Sequence, residues 1–146
     1  MEMKYYCELD GYELGYAKDG DAGLDLPITE AVTVEPGARV KVKTGVYVEL
    51  PDDHYGMLDT RSSTGGMGID LLCRTIDRGY RGNIKLAIVN HSDEVLTFQP
   101  GERIAQLIVL PVLQVTPVAV SSPSDLSESE RGDKGFGSSG KKEIIK

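Results

Sequence analysis

The sequence is poor in cysteine, and its two cysteines stand far apart. Cys7 and Cys73 form no Cys-x-x-Cys pair and are too few for a disulfide framework. Isolated thiols of this kind are typical of proteins that work in a reducing cytosol. The first six residues contain an early acid and no apolar segment like that of a signal peptide. We therefore expect a cytoplasmic protein.

A long apolar run and an excess of positive charge are also missing. The most apolar stretch, residues 104–113, is interrupted by Gln106 and Pro111 and is too short to span a bilayer. The formal net charge is −7, whereas a nucleic-acid-binding domain normally carries a basic face. We expect neither a membrane nor a nucleic acid as partner. An anionic ligand would need local arginines, backbone N–H groups and a divalent metal.

Apolar residues nowhere keep a helical period over three turns, and they alternate as in strands. Valine or leucine holds five of the six even positions from 40 to 50, which predicts one half-buried strand. Residues 84–88 repeat this alternation, and residues 104–109 are typical of a buried strand. Residues 112–118 predict an edge strand, because Pro111 and Pro117 interrupt them. Only residues 62–68 have helical potential, so we expect at most one short helix.

The composition changes after residue 120. A chain of 146 residues fits one ordinary domain, which we place at residues 1–120, and the polar residues 121–130 predict a flexible linker. Residues 131–140 then hold Phe136 among glycines. The plain interpretation is a disordered tail. The alternative is an arm in which Arg131 and the hydroxyls of Ser138 and Ser139 bind phosphates while Phe136 stacks on a base.

Five segments, in order, resemble the five signature motifs of the trimeric dUTPase (deoxyuridine 5′-triphosphate nucleotidohydrolase) family. They are residues 22–26 (AGLDL), 61–63 (RSS), 76–82 (IDRGYRG), 101–107 (GERIAQL) and 131–140. Each is weak alone, but all five in order make a strong signal. The resemblance implies an all-β, distorted jelly-roll-like barrel that hydrolyses dUTP to dUMP and pyrophosphate with Mg²⁺. It also implies a homotrimer in which several chains build each active site.

By this resemblance, Asp77 is the general base that activates the water attacking the α-phosphorus. Hydrolysis of a phosphoanhydride needs a nucleophile in line with the leaving group, and a fixed carboxylate can orient and deprotonate water. The alternative is an aspartate that only closes the turn Asp77-Arg78-Gly79. The Tyr-Arg-Gly that follows favours the catalytic interpretation.

The resemblance places three further residues, Arg61, Ser62 and Ser63, at the phosphate chain, where a guanidinium and hydroxyls can bind oxygens. A plainer interpretation makes Ser62 the N-cap of a short helix. Asp25 and Gln106 are assigned to the metal, both through water, since Mg²⁺ keeps much of its hydration shell. Gln106 also contacts substrate in the family, although a glutamine on the solvent face of a strand is the plain alternative.

Sugar and base recognition are also implied by the resemblance. Tyr80 packs against the deoxyribose and excludes a 2′-hydroxyl, unless it is an ordinary core aromatic. Leu72 and Thr75 belong to a hairpin whose backbone reads uracil. This chain has Arg74 where the family usually has glycine, and Gly65-Gly66 where it has helix-forming residues.

The tail completes the implied site by crossing to cap the site of another subunit. Its substrate-binding residues are Arg131, Phe136, Gly137, Ser138 and Ser139.

Two alternative functions stay open at this point. A dCTP deaminase shares the fold, but it needs an arginine shortly after the RSS motif, and residues 64–68 (TGGMG) contain none. A regulatory protein that binds a nucleotide without turnover is the other alternative. A zinc enzyme is not expected, because His54 and His91 have no partners at ligand spacing and are typical of surface histidines.

Overall fold

A computed structural model describes residues 1–137 and residue 140. The chain divides into two compact units, Met1–Gln114 and Val115–Lys146. Within the described residues, no helix is both long and apolar enough to cross a membrane. The same residues form eleven strands, one α-helix and a 3-10 turn: β1 Lys4–Cys7, β2 Leu24–Pro27, β3 Val32–Val34, β4 Arg39–Lys43, β5 Val46–Glu49, β6 His54–Thr60, α1 Ser62–Gly66, β7 Ile69–Leu72, β8 Thr75–Ile76, β9 Lys85–Asn90, β10 Leu96–Phe98, β11 Arg103–Pro111 and the turn Pro123–Asp125.

The strands form four small sheets, and all of their pairings are antiparallel. The largest sheet has the order β2-β11-β6-β8 and the next has the order β4-β9-β7, while β1 pairs with β5 and β10 with β3. Strands that follow each other along the chain therefore often lie in different sheets. This exchange between sheets is characteristic of jelly-roll-like barrels. The predicted all-β fold with one short helix is confirmed.

The core is built by the alternation that the sequence predicts. Strand β9 shows it most clearly, because Leu86 and Ile88 are completely buried while Ala87 and Val89, which alternate with them, are only partly buried. Each such side chain contributes about 1.5–3 kcal/mol relative to full exposure. Asn90 is equally buried, and its amide nitrogen donates to the carbonyls of Val34 (2.9 Å) and Glu94 (2.7 Å). A buried amide needs such partners.

The single strand predicted over residues 40–50 is wrong, because the structure has two strands there. Thr44 and Gly45 separate β4 from β5, which pair with different neighbours. The buried Thr44 hydroxyl donates to the Ile84 carbonyl (2.7 Å) and accepts from the Val46 N–H (3.0 Å). Gly45 has φ +71°, a conformation that glycine adopts easily. A break of two residues preserves the alternation, so the sequence pattern does not reveal it.

The edge strand predicted over residues 112–118 is also wrong. Strand β11 ends at Pro111, and the Val112 N–H donates to the Asp53 carbonyl (2.8 Å). Val115 and Val118 are each 81% exposed, and neither lies in a strand. Proline has no N–H to donate to a ladder, so Pro117 removes one donor that a strand through this stretch would need.

Candidate functional site

Strand register brings the first set of predicted residues to one cavity. Gln106 of β11 lies opposite Asp25 of β2 on one side and opposite Asp59 of β6 on the other. Helix α1 follows β6 after one residue, which places the RSS segment beside both strands. The resulting cavity has a volume of about 390 Å³ and is lined by Ala17, Asp21, Ala22, Gly23, Asp25, Arg61, Ser62, Ser63 and Gln106. Below we call it the arginine cavity.

Asp25 holds the charged groups of the arginine cavity in place. Its carboxylate is 6% exposed and pairs with Arg61 Nε at 2.9 Å and Arg103 Nη1 at 3.4 Å. A buried carboxylate needs such partners to offset the hydration that it loses. Tyr12 donates its hydroxyl to the Asp25 main-chain carbonyl (2.7 Å), and burial raises the pKa of Tyr12 to about 12. With Arg61 Nη1 also donating to the Arg103 carbonyl (3.1 Å), the guanidinium of Arg61 is fixed at the cavity.

Gln106 has a defined orientation in the same cavity. Its amide nitrogen donates to the Thr60 carbonyl at 2.9 Å. Across from it, a Cβ on Gly23 would lie 2.8 Å from Gln106 Cβ, an atom that a change of rotamer cannot move away. Gly23 is therefore required by the glutamine side chain. The half-buried amide faces the cavity instead of an open solvent face.

The helix after β6 positions Ser62 and Ser63, but not as predicted by the N-cap interpretation. Arg61 is the N-cap, in an extended conformation, and Ser62 is the first helical residue. Thr64 closes the turn instead, donating its hydroxyl to the carbonyls of Arg61 (3.1 Å) and Ile104 (2.8 Å). A Cβ on Gly65 would lie 2.9 Å from Thr60 Oγ1. One of the two unexpected glycines thus permits close packing against β6.

A second cavity, of about 190 Å³, holds the predicted base and its neighbours: Thr75, Ile76, Asp77, Tyr80 and Lys85. The Asp77 main-chain carbonyl accepts from the Tyr80 N–H at 3.0 Å, so the main chain closes the predicted turn. Within the described part of the chain, no hydrogen bond or ion pair engages the Asp77 carboxylate, which is exposed. An exposed, unpaired carboxylate on a closed turn is available to bind water. We call this space the aspartate cavity.

Tyr80 is held at the edge of the aspartate cavity. It is 40% exposed, and its hydroxyl donates to the Asn83 carbonyl at 2.8 Å. A Cβ on Gly82 would lie 2.5 Å from that hydroxyl oxygen, so the ring lies directly against the glycine. The side chain of Asn83 in turn accepts from the Gly45 N–H at 3.1 Å. Tyr80 is thus a fixed, half-exposed ring and not a core aromatic.

The predicted uracil-reading hairpin is instead a corner between two sheets. Strand β7 pairs with β9 and β8 pairs with β6, so β7 and β8 do not pair with each other. Cys73 has φ +55°, which turns the chain from one sheet into the other. The Arg74 carbonyl then accepts from the Leu58 N–H at 2.7 Å and leads β8 along β6. Leu72 is 39% exposed and is not among the residues lining the aspartate cavity with Thr75.

The arginine cavity and the aspartate cavity have no lining residue in common. Asp77 and Tyr80 line one, and the RSS segment, Asp25 and Gln106 line the other. In the tail, Phe136 is fully exposed with φ +38°, and Arg131 Nε donates to the Lys134 carbonyl at 2.8 Å. Gly137 has φ +86°. Ser138 and Ser139 lie outside the described residues.

Several residues of the site were not selected from the sequence. Arg103 belongs to the GERIAQL segment, and its charge beside an expected metal site was an available signal. Tyr12 donates to the main-chain carbonyl of Asp25, and the main-chain carbonyl of Asn83 accepts from Tyr80. Contacts to main-chain carbonyls leave no pattern in the sequence. Asp21 lines the arginine cavity and Lys85 lines the aspartate cavity, but neither belongs to a motif. Their only signal in the sequence is that they lie close to AGLDL and IDRGYRG.

The oxygen donors in the arginine cavity fit a magnesium ion held through water. Asp25 and Gln106 present carboxylate and amide oxygens to it, and Mg²⁺ in nucleotide sites takes most of its other ligands from phosphates and water. The two arginines paired with Asp25 make a direct carboxylate cage unsuitable. Among the described residues, no group of three or more His, Cys, Asp or Glu side chains is placed to hold a metal.

The fold and the arginine cavity define a jelly-roll-like protein with arginine, hydroxyl and amide donors on one cavity wall, a set of groups that suits an anionic ligand. The dUTPase family model matches residues 13–140. Deoxyuridine 5′-triphosphate nucleotidohydrolase of Anaeromyxobacter sp. (strain Fw109-5) is 43% identical over 129 residues, covering 86% of each chain. That of Mycobacterium leprae (strain TN) is 45% identical over 130 residues, covering 85% of this chain and 84% of the relative.

Solved structures agree with this relationship. The dUTPase of Staphylococcus bacteriophage 80alpha with dUPNHPP has a TM-score of 0.81 at 28% identity, covering 95% of this chain and 98% of that one. The EIAV dUTPase, at 22% identity and a TM-score of 0.72, supports the fold alone. The chain belongs to the dUTPase family. It is a hydrolase that converts dUTP to dUMP and pyrophosphate.

Proposed function

We propose that Asp77 is the general base of dUTP hydrolysis. The observation that carries this assignment is an exposed carboxylate without a protein partner, set on a turn that its own main chain closes. The carboxylate takes a proton from a water molecule as the water oxygen bonds to the α-phosphorus. The bond from that phosphorus to the α–β bridging oxygen breaks, and pyrophosphate leaves with the electron pair.

The triphosphate of dUTP binds in the arginine cavity. Arg61 is held by Asp25 with its charge at the cavity wall, and Ser62 and Ser63 supply hydroxyl donors. Charged and neutral donors fixed before substrate arrives stabilise phosphate oxygens without reorganisation in the transition state. This arrangement explains how a chain of net charge −7 binds a triphosphate.

Magnesium is the proposed metal, held by Asp25 and Gln106 through water. A dUTPase from phage phi11 of S. aureus has been described with a structural Mg(II) ion. In a nucleotide site, bound Mg²⁺ neutralises charge on the phosphate oxygens. The role of Asp25 and Gln106 is to orient water ligands, because the Asp25 oxygens already face two guanidinium groups.

The complete site is proposed to form between subunits of a homotrimer. Within one chain, the arginine cavity and the aspartate cavity are separate sets of residues. Residues 121–130 then act as a linker that lets Arg131, Phe136 and Gly137, with Ser138 and Ser139, reach the site of another subunit. Residues 1–120 form the barrel domain of this assembly. Two free cysteines, Cys7 and Cys73, are consistent with a cytoplasmic enzyme.

Replacing Tyr80 with alanine is expected to relax sugar selection. The ring is fixed by Asn83 and Gly82, and its proposed role is to exclude a 2′-hydroxyl by a steric clash. Without it, the preference for dUTP over UTP should fall by up to about 100-fold, which is typical for a pocket that rejects one added hydroxyl. The measurement is pyrophosphate release with Mg²⁺ from UTP and each common dNTP.

Tyr80→Phe is the matched control for this measurement. It keeps the ring and removes only the hydrogen bond to the Asn83 carbonyl, so it should retain most of the discrimination. If Tyr80→Ala lowers turnover of dUTP and UTP by the same factor, the ring does not select the sugar.

The tail is expected to close over bound substrate. Residues 121–130 offer little apolar surface to offset an ordering entropy of about 1–2 kcal/mol per residue. With dUpNHpp and Mg²⁺, Phe136 gains a base to stack on and Arg131 gains phosphate oxygens. Limited trypsin digestion should then cut slowly after Arg131 and Lys134, and quickly without ligand.

Fragment masses identify which of these bonds is cut. Phe136→Ala should weaken protection and catalysis together while leaving the oligomeric state unchanged. Equal cleavage rates with and without saturating dUpNHpp would show that the tail is not a closing lid.

A further inference from the structure

Arg74 occupies the corner between β7 and β8 and uses every nitrogen of its guanidinium. Nε donates to the Leu71 carbonyl at 3.1 Å and Nη1 to Asp59 Oδ1 at 3.1 Å. Nη2 donates to Asp70 Oδ1, completing the set. A planar group with five N–H donors in a fixed fork suits such a multiple contact, and a lysine does not.

These contacts join two sheets at the place where the chain crosses between them. Asp59 belongs to β6 in the four-stranded sheet, and Asp70 belongs to β7 in the three-stranded sheet. The main chain of Arg74 adds a third link, since its carbonyl accepts from the Leu58 N–H at 2.7 Å. The side chain and the main chain of Arg74 therefore both attach the corner to β6.

From Asp59 a path of hydrogen bonds continues into the arginine cavity. Asp59 Oδ1 also accepts from the Thr60 N–H at 2.9 Å. The Thr60 carbonyl accepts from Gln106 Nε2, likewise at 2.9 Å. Arg61, the next residue along the chain, pairs with Asp25. On its other side, Arg74 is followed by Thr75 and Asp77 of the aspartate cavity.

The cluster pairs one arginine with two carboxylates. The Leu71 N–H, followed by the Arg74 guanidinium, holds the pKa of Asp70 below its ordinary value. His91 Nε2 lies 3.6 Å from the other oxygen of Asp70. The side chains of Arg74, Asp59 and Asp70 are all about 40% exposed, and pairs exposed to this degree contribute little to global stability. Their main consequence is geometric.

We propose that Arg74 is a positioning residue that fixes the base-reading corner relative to the segment from Asp59 to Arg61. It couples the placement of Thr75 and Asp77 to the placement of Gln106 within one chain. The inference rests on the uracil-reading role that the family resemblance implies for residues 72–75, which is itself a proposal for the corner. It predicts that loss of the guanidinium loosens base selection more than it affects the chemical step.

The test compares Arg74→Gln with Arg74→Lys, Asp59→Asn and the control Arg39→Gln, which alters an exposed arginine of β4. Arg74→Gln should raise KM for dUTP about tenfold while kcat changes less than about threefold, the signature of lost binding. Its preference for dUTP over dTTP should fall by about tenfold. Arg74→Lys should rescue this only partly, and Arg39→Gln should behave as wild type.

A double-mutant cycle then tests the path through Asp59. If the two side chains act together, Asp59→Asn should reproduce the loss of base selection, and the double variant should add little to it. Thermal unfolding of every variant is measured alongside. A lowered melting temperature with unchanged KM and base preference would overturn the inference and leave Arg74 a structural residue.

A Thr75→Pro variant distinguishes the inference from the assignment beneath it, because it removes a main-chain N–H of the corner at the first residue of β8. If Thr75→Pro alters the preference for dUTP over dTTP and Arg74→Gln does not, the corner reads the base and only the role of Arg74 is refuted. If neither variant alters it, both the base-reading corner and the inference are refuted. Loss of the preference in both variants, with Arg39→Gln unchanged, supports both.

Discussion

Asp77→Asn should still bind dUTP while turnover falls by about 10²–10⁴-fold, the usual cost of losing a general base. Asparagine keeps the shape of the side chain, and the turn closed by the Asp77 carbonyl and the Tyr80 N–H does not depend on the carboxylate. The fold and the substrate affinity should therefore survive. Pyrophosphate release measures turnover, and titration with dUpNHpp measures binding.

Asp93→Asn is the matched control, because it removes an exposed carboxylate that lines neither cavity. It should keep wild-type kcat and KM. Near-normal kcat in purified Asp77→Asn would remove Asp77 from the role of base. A loss of dUpNHpp affinity as large as the loss of kcat would instead make Asp77 a binding residue.

Mixing two inactive chains should restore activity. One chain carries Asp77→Asn and an intact tail, and the other is cut after Ser122 but keeps Asp77. In a trimer whose sites take the base and the tail from different subunits, random mixing completes roughly a quarter of the sites, because each part comes from a competent chain half of the time. Each preparation alone should show only residual turnover.

The mixing experiment needs evidence that mixed trimers form. The chains are unfolded together, refolded and separated through an affinity tag on one of them, and their composition is read by native mass spectrometry. A mixture of the same chains without joint refolding is the control and should remain inactive. Mixed trimers without recovered activity would mean that each tail serves the subunit carrying its own base.

Much of the site was predictable because its chemistry depends on short segments. The turn at Asp77 and the ring of Tyr80 lie within one motif of seven residues, so their joint presence in one cavity follows from chain connectivity. The alternation of Leu86 and Ile88 reports burial directly, since a strand buries every second side chain.

The errors arose where partners lie far apart along the chain. The break at Thr44 and Gly45 keeps the period of two, and it is specified by the distant Ile84 carbonyl. The sequence around Cys73 resembles a hairpin locally. In the structure, however, β7 pairs with β9 and β8 pairs with β6, and both partners are distant from the corner along the chain or belong to another sheet.

The sequence by itself determined the family and the reaction, because these depend on residue type and order, and from the same motifs come the residues proposed to bind phosphate. Only the tertiary structure decided how those groups are held. The pairing of Asp25 with Arg61, the contact of Gln106 with the Thr60 carbonyl and the contact of Arg74 with Asp59 all join residues that lie far apart along the chain. Such contacts depend on register and on side-chain direction, which a linear pattern does not specify.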